Sequence, residues 1–250
     1  KGDGAPETLK TELSRYNSEN YHYSRLMGIG LYSIFSTSIR KNESDTYYGI
    51  TLLDDINNEI PGWKKSNIFL KQNKNVIIEK GLYNQGNLYN YENLYYFREK
   101  YRNKMDIVTG DGGFDFSVNY DDQEYLALKL ILSQIAYALT IQKKGGIFIL
   151  KVFDIFLQSS VELIYLLSCC YKEVYIIKPN TSRIANSEKY IVCKYFKMTD
   201  STNISKKFIA VLNVINNLDK KIRIKSIIDI NIQDYYLNKI KEINSIIGQQ

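Results

Sequence analysis

Three charged residues stand beside apolar stretches that are predicted to be buried strands, and together they could transfer a proton. Asp111 lies in a Gly-Asp-Gly-Gly turn directly after residues 105–109, and Lys151 lies inside the apolar run 147–153. Glu188 comes shortly before the apolar residues 190–193. A lysine in a buried strand is costly unless it is paired or faces a cleft. We therefore expect the three side chains at the ends of neighbouring strands, where ligands of such sheets bind.

Each of these residues also has an ordinary structural explanation when it is taken singly. Lys151 could be an edge-strand lysine that reaches solvent, Asp111 a turn residue among glycines, and Glu188 a solvated charge. As a carboxylate–lysine–carboxylate network they could do acid–base chemistry. Flanking carboxylates favour the charged ammonium, whereas a second lysine nearby can push one amine toward neutrality, so that it accepts a proton. Such an amine could deprotonate a ribose hydroxyl that attacks the methyl group of a sulfonium.

The composition restricts the other kinds of catalytic site. His22 is the single histidine among 250 residues, so a Ser-His-Asp triad or a multi-histidine metal site would have to be built around it. The cysteines, Cys169, Cys170 and Cys193, form no C-x-x-C pair. We expect three buried, reduced thiols and predict neither a zinc site, nor any other metal site, nor a disulfide framework.

Charge and hydropathy indicate the class of protein. The formal net charge of +6 suits a polyanionic partner. The chain has no run of eighteen apolar residues, and residues 1–10 are polar. We therefore expect a soluble, intracellular chain without membrane attachment, with the cytoplasm preferred over the nucleus. Trp63 is expected to pack under its loop, while the lysines beyond it form either a basic rim for RNA or a solvated loop.

The hydrophobic pattern predicts an α/β fold. Short apolar runs alternate with segments of helical spacing, which indicates a mostly parallel central sheet with helices on both faces. The best helix, residues 123–140, is predicted to be capped and ended by residues 143–146. The predicted strands are 47–53, 76–79, 105–109, 146–153, 174–177 and 190–193, and the other central helices are 91–101 and 160–170.

Three segments resemble motifs of the FtsJ-like cap-specific mRNA 2′-O-methyltransferases. Residues 109–117 (TGDGGFDFS) are similar to the family's A-D-G-G-F-x-x-S segment, and residues 145–154 (GGIFILKVFD) to its G-G-x-F-I-x-K-x-F-D strand. Residues 178–194 (KPNTSRIANSEKYIVCK) resemble the K-P-x-T-S-R-P-A-N-S-E-x-Y-x-V-C-K block. The resemblance runs from about Tyr47 to Phe196. It is closest to the eukaryotic and large-DNA-virus enzymes that act on the first transcribed nucleotide.

This resemblance implies a Rossmann-like S-adenosylmethionine-dependent methyltransferase fold and a Lys-Asp-Lys-Glu tetrad. Its last three members map onto Asp111, Lys151 and Glu188, with Lys151 as the general base. The resemblance also implies S-adenosylmethionine as the cofactor and the capped 5′ end of mRNA as the partner, with other capping enzymes as further candidates. Asn87 stands where the family has an aspartate near the adenine, and its carbonyl can still accept a hydrogen bond. The other expected contacts are Gly28, Gly30, Asp111 and Gly112 for the cofactor, and Ser182, Arg183 and Asn186 for RNA.

The start of the chain departs from the family pattern. The family's Pro-Gly-Gly turn would fall near residues 27–33, where none stands, and Lys1 and Lys10 lack the context of the first tetrad lysine. We therefore divide the chain into an atypical N-terminal segment (1–46), a methyltransferase core (47–200) and a helical C-terminal accessory segment (201–250). Two alternatives stay open: an inactive methyltransferase-like subunit that binds capped RNA or a capping partner, and a 2′-O-methyltransferase of another RNA class.

Overall fold

The computed structural model describes residues 24–27, 44–53, 62–113, 122–179, 187–218 and 223–248, the first of these as backbone. Within these ranges, strands and helices largely alternate along the chain. The strands are β1 (Ser24–Met27), β2 (Thr46–Ile50), β3 (Val76–Glu79), β4 (Met105–Gly110), β5 (Gln142–Val152), β6 (Tyr171–Ile177) and β7 (Lys189–Phe196). The helices are α1 (Asn67–Gln72), α2 (Tyr91–Tyr101), α3 (Gln123–Ile141), α4 (Gln158–Cys170), α5 (Thr202–Asn217) and α6 (Asp234–Gly248).

The described strands form one sheet in the order β3-β2-β1-β4-β5-β7-β6. The pairs from β3 to β5 are parallel, and β7 runs antiparallel to both β5 and β6. The predicted mostly parallel α/β sheet is therefore confirmed. Strands β1 to β5 end at one edge of the sheet, which we call the carboxyl edge. Because β7 is antiparallel to β5, it begins at the carboxyl edge.

Helix α3 is the central helix of the fold. It packs on β4 and β5 and is flanked by α2, α4 and α5, so residues 131–141 are buried on every side. Leu126 is exposed in the first turns of the helix, although the following Ala127 and Leu128 are already buried. The helix is long and apolar enough to cross a membrane by length and composition, but most of it is buried inside the fold.

A smaller cluster at the β2–β3 side confirms the packing role of Trp63. Its side chain is buried together with Tyr47 and Val76. Gly49 leaves room for the indole, since a Cβ atom at Gly49 would lie 2.4 Å from the ring. The absence of a side chain on β2 at this point therefore lets the loop around Trp63 close over the sheet.

Two local features differ from the sequence-based expectation. β1 was not predicted as a strand, yet it pairs with β2 on one side and β4 on the other, in the middle of the sheet. Residues 143–146 do not cap α3; they belong to β5, where the register with β4 shifts and forms a bulge. The helix instead ends at Ile141, because Gln142, the first residue of β5, already has extended backbone and is completely buried.

The cysteines and the C-terminal residues supply two further findings. Cys170 and Cys193 are free and buried as expected, but Cys169 is exposed, because it lies on the outer face of the last turn of α4. Helix α5 packs on α2 and α3, and the main core includes Phe208 and Leu212 from α5. The main core also includes Ile232 before α6 and Ile240 within it.

Candidate functional site

Asp111 and Lys151 form a close ion pair at the carboxyl edge. Asp111 follows β4 directly, and Lys151 is the penultimate residue of the neighbouring strand β5. Lys151 Nζ lies 2.7 Å from Asp111 Oδ1 and also donates a hydrogen bond to the Asp111 carbonyl at 3.2 Å. The lysine side chain is 15% exposed, so it reaches the edge without lying on the open surface. The sequence-based expectation that these two side chains meet is confirmed.

The glycines around Asp111 allow the turn to lie close to α3 and to Lys151. The Gly112 N–H donates to the side-chain oxygen of Gln134 at 2.8 Å. Cβ atoms at Gly110 and Gly112 would lie 2.9 and 3.0 Å from that oxygen, and one at Gly113 would lie 3.5 Å from Lys151 Nζ. Gln134 is buried on α3, so it connects the central helix to the turn that carries Asp111.

Glu188 lies at the same edge, immediately before β7. Its carboxylate accepts a hydrogen bond from the Tyr190 hydroxyl at 2.8 Å. Tyr190 is the register partner of Lys151 in the β5–β7 ladder. Because side chains alternate along a strand, Glu188 and Tyr190 lie on the same face of the sheet as Lys151. The Glu188 carboxylate is therefore bonded to the register partner of Lys151, on the face of the sheet that carries this lysine.

Two further lysines surround Glu188. Lys178, just after β6, donates to the Glu188 carbonyl at 3.2 Å. Burial and then the nearby Lys189 ammonium lower the pKa of Lys178, while the carboxylates of Glu188 and Asp154 oppose that shift. Lys189 is itself buried and forms an ion pair with Asp154 at 3.0 Å. The edge beyond Lys151 therefore contains alternating cationic and anionic groups.

The loops after β2 and β3 form the other part of the carboxyl edge. The Leu53 N–H donates to the Gln85 carbonyl at 2.8 Å. Gly86, with a φ of 59°, lies so close to β2 that a Cβ atom there would be 1.8 Å from the Thr51 carbonyl oxygen. These contacts hold Asn87 beside the end of β2. Leu52, just after β2, exposes its apolar side chain at this part of the edge.

Asn87 has partners within its own loop. Its side-chain oxygen accepts a hydrogen bond from the Tyr89 N–H at 2.9 Å, and its backbone carbonyl accepts one from the Asn93 side chain at 2.9 Å. A side-chain carbonyl has two lone pairs, so one acceptor position of Asn87 is left for a ligand. The loop geometry therefore orients the amide.

The remaining predicted site residues lie outside the described residues. They are Gly28 and Gly30 for the cofactor, and Ser182, Arg183 and Asn186 for RNA. Gly28 follows β1 directly in the chain, and β1 lies at the centre of the sheet beside β4. The described residues contain no group of three or more His, Cys, Asp or Glu side chains arranged so that it could hold a metal ion.

Sequence reasoning missed five residues that shape this site: Gln134, Asp154, Lys178, Lys189 and Tyr190. Gln134 could have been found, because a glutamine inside the apolar pattern of α3 is visible in the sequence. Lys178 and Tyr190 stood within the motif block but were given no role. The contact between Asp154 and Lys189 joins residues 35 positions apart and has no local signal.

Residues 35–196 match the model of the FtsJ-like methyltransferases, which is more than half of the chain. The chain belongs to the FtsJ-like methyltransferase family. The alignments with individual relatives cover a shorter part of the chain. The chain is 46% identical over 97 residues to mouse cap-specific mRNA (nucleoside-2′-O-)-methyltransferase 1 and 44% identical over 110 residues to the Drosophila melanogaster protein of that name.

These two alignments cover 39% and 44% of this chain, but 12% and 14% of the respective relatives. The chain therefore corresponds to a small part of these longer proteins. Among solved structures, human methyltransferase-like protein 13 in complex with SAH has a TM-score of 0.50 and 9% identity, covering 87% of this chain and 96% of that protein. This likeness supports the methyltransferase fold of the chain.

Proposed function

We propose that this chain is the catalytic domain of an S-adenosylmethionine-dependent mRNA cap ribose 2′-O-methyltransferase, with Lys151 as the general base. The observation that carries the proposal is the pair of Lys151 and Asp111 at the carboxyl edge of a family sheet. The similarity to cap-specific relatives directs the choice of substrate toward the capped 5′ end of mRNA. Other capping enzymes are the protein partners that this role suggests.

The contacts of Lys151 suit a base that accepts one proton. A neutral lysine amine has two N–H donors and one lone pair. Once the ammonium of the ion pair has lost one proton, the amine can keep both donors on the Asp111 carboxylate and carbonyl while its lone pair faces a third group. A ribose 2′-hydroxyl at that position would transfer its proton to Nζ while its oxygen attacks the methyl donor. Asp111 then stabilises the ammonium that forms, and Glu188 adds negative charge from the β7 side.

The cofactor fits the other part of the edge. S-adenosylmethionine supplies an electrophilic methyl group on a sulfonium. Asp111 and Gly112 would hold its methionine end, and Asn87 would accept a hydrogen bond from the adenine amino group. The assignments of Gly28 and Gly30 to the cofactor and of Ser182, Arg183 and Asn186 to RNA remain proposals, supported by their positions in the chain next to β1 and Glu188.

The decisive test is transfer of labelled methyl from S-adenosylmethionine to short capped and uncapped RNAs. We expect transfer that depends on the cap, and a loss of about 10²- to 10⁴-fold in Lys151→Ala and Lys151→Arg, because neither variant can accept the proton.

Three results would contradict the proposal, and the first two also separate its alternatives. Absence of transfer together with retained binding of capped RNA would point to the inactive RNA-binding subunit. Equal transfer to uncapped ribosomal or transfer RNA fragments would point to a methyltransferase of another RNA class. Full activity of Lys151→Ala would remove Lys151 from the mechanism.

A further inference from the structure

Residues 187–189 form polar contacts with three different parts of the fold. The Ser187 hydroxyl donates to the side-chain oxygen of Gln123 at the start of α3, at 2.6 Å. Lys178 donates to the Glu188 carbonyl. Lys189 Nζ lies 3.0 Å from Asp154 Oδ1 and also donates to the Ser187 carbonyl at 3.1 Å. The backbone on both sides of the Glu188 carboxylate is therefore held by side chains.

The ion pair between Asp154 and Lys189 connects this segment to the strand of the proposed base. Lys189 is the register partner of Val152, the residue after Lys151, and Asp154 follows two positions later along the chain. The lysine side chain is 5% exposed and that of Asp154 is 38% exposed. A buried ammonium that donates to both a carboxylate and a carbonyl restricts how residues 187–189 can move relative to β5.

We propose that Asp154 and Lys189 are positioning residues that hold Glu188 at its place beside Lys151; this inference rests on the proposed methyl-transfer function. The pair acts on the backbone of residues 187–189. In this proposal it contacts neither the ribose hydroxyl nor the methyl group that is transferred. The pair contributes by positioning the Glu188 carboxylate, because a displacement of about 1 Å can lower the reaction rate by up to 10²-fold. Asp154 is thereby assigned a role that differs from that of Asp111, which contacts the base directly.

The first experiment compares kcat, KM for capped RNA and melting temperature in three variants of the chain. In Asp154→Asn, we expect kcat to fall roughly tenfold with KM changed by less than about twofold. In Lys189→Met, the same loss is expected. The double variant Asp154→Asn/Lys189→Met removes both charges, so its melting temperature should return toward the native value while kcat stays low.

Asp106→Asn is the matched control. Asp106 forms an ion pair with Lys143 of β5 at 3.1 Å, at the opposite end of the same strand. Its loss should leave kcat unchanged. If the double variant regains the native kcat, or if Asp154→Asn lowers kcat no more than Asp106→Asn does, the pair is only structural and the proposal is wrong.

A second measurement separates failure of this inference from failure of the proposed function. Amide hydrogen exchange can be followed at residues 187–190 in the native chain and in Asp154→Asn, without any substrate. We expect exchange in this segment to become at least about tenfold faster, with β3 unaffected. That result would support the positioning role even if the native chain transferred no methyl group. Unchanged exchange would overturn the role even if the native chain were fully active.

Discussion

At the scale of single residues, the site depends on close approaches that tolerate little change. Gly86 is the sharpest case, because its backbone is left-handed and its missing Cβ would overlap the Thr51 carbonyl oxygen. The loop that carries Asn87 can lie against β2 only while residue 86 has no side chain. The proposed adenosine contact therefore depends on a residue that itself makes no contact with a ligand.

Gly86→Ala should weaken binding of S-adenosylmethionine by about an order of magnitude or more and destabilise the fold by roughly 1–3 kcal/mol, since the loop must move away from β2. Isothermal titration with the cofactor and thermal unfolding measure the two effects. Gly145→Ala is the control, because Gly145 also has a positive φ of 82° but its Cβ would meet nothing within 4 Å. Equal cofactor affinity in both variants would contradict this account of Gly86.

At the scale of elements, buried carboxylates connect helices to loops. Glu124, in the first turn of α3, accepts hydrogen bonds from the backbone N–H groups of Phe156 and Leu157. Glu162, in α4, accepts from the N–H groups of Ile227 and Ile228 and from the Ser226 hydroxyl. The first carboxylate holds the loop that follows Lys151, and the second holds the chain before α6.

The contribution of Glu162 to stability should depend on pH. Burial raises the pKa of Glu162, but the hydrogen bonds, that of Ile227 first, lower it more, and the net pKa lies below the ordinary 4.5. Because the folded-state pKa is the lower one, the stabilisation is complete above about pH 4.5 and is lost as the pH falls through the folded-state value.

The difference in unfolding free energy between the native chain and Glu162→Gln should therefore be constant from about pH 7 to 5 and shrink below about pH 4.5. Urea unfolding at several pH values measures it. Glu242→Gln serves as the control, since Glu242 forms an exposed pair with Lys239 on α6 and should contribute little at any pH. A difference for Glu162→Gln that grows on acidification would have the wrong sign for a depressed carboxyl pKa.

At the scale of the whole molecule, the C-terminal residues share the main core with the sheet. Leu212 of α5 is completely buried in that core, whereas Val214, two residues later, is 59% exposed. The division into a core (47–200) and an accessory segment (201–250) is a prediction that unfolding can test. An accessory segment with its own core would unfold separately, whereas a shared core predicts a single transition.

Leu212→Ala should lower the unfolding free energy of the whole domain by about 2–5 kcal/mol, because a cavity opens in the shared core. Val214→Ala should cost less than about 1 kcal/mol. Urea unfolding is followed by circular dichroism together with hydrogen exchange in β5. If Leu212→Ala instead produced a separate early transition of α5 and left β5 unaffected, the C-terminal residues would be an independent unit.

Local pattern was sufficient to predict most elements and to select candidate residues for the site. The strand β3 and the helix α2 have the predicted bounds, and α3 differs by one residue, because apolar spacing reports burial directly. The sequence could also indicate Asp111, Lys151 and Glu188 as candidates. Charged residues beside buried strands are costly, so their presence indicates a paired or functional role.

Only the tertiary structure decided the features that depend on distant partners. β1 is four residues long and is stabilised by hydrogen bonds to strands on both sides, so its own residues contain little signal. The same holds for the bulge at residues 143–146, which follows from the register with β4, and for the contact of Gln134 with Gly112. Sequence alone determined which residues are candidates for the chemistry, because residue type and local burial are encoded locally. How Lys178, Asp154 and Lys189 surround Glu188 was decided by strand order, since three separate chain segments meet only once the sheet has formed.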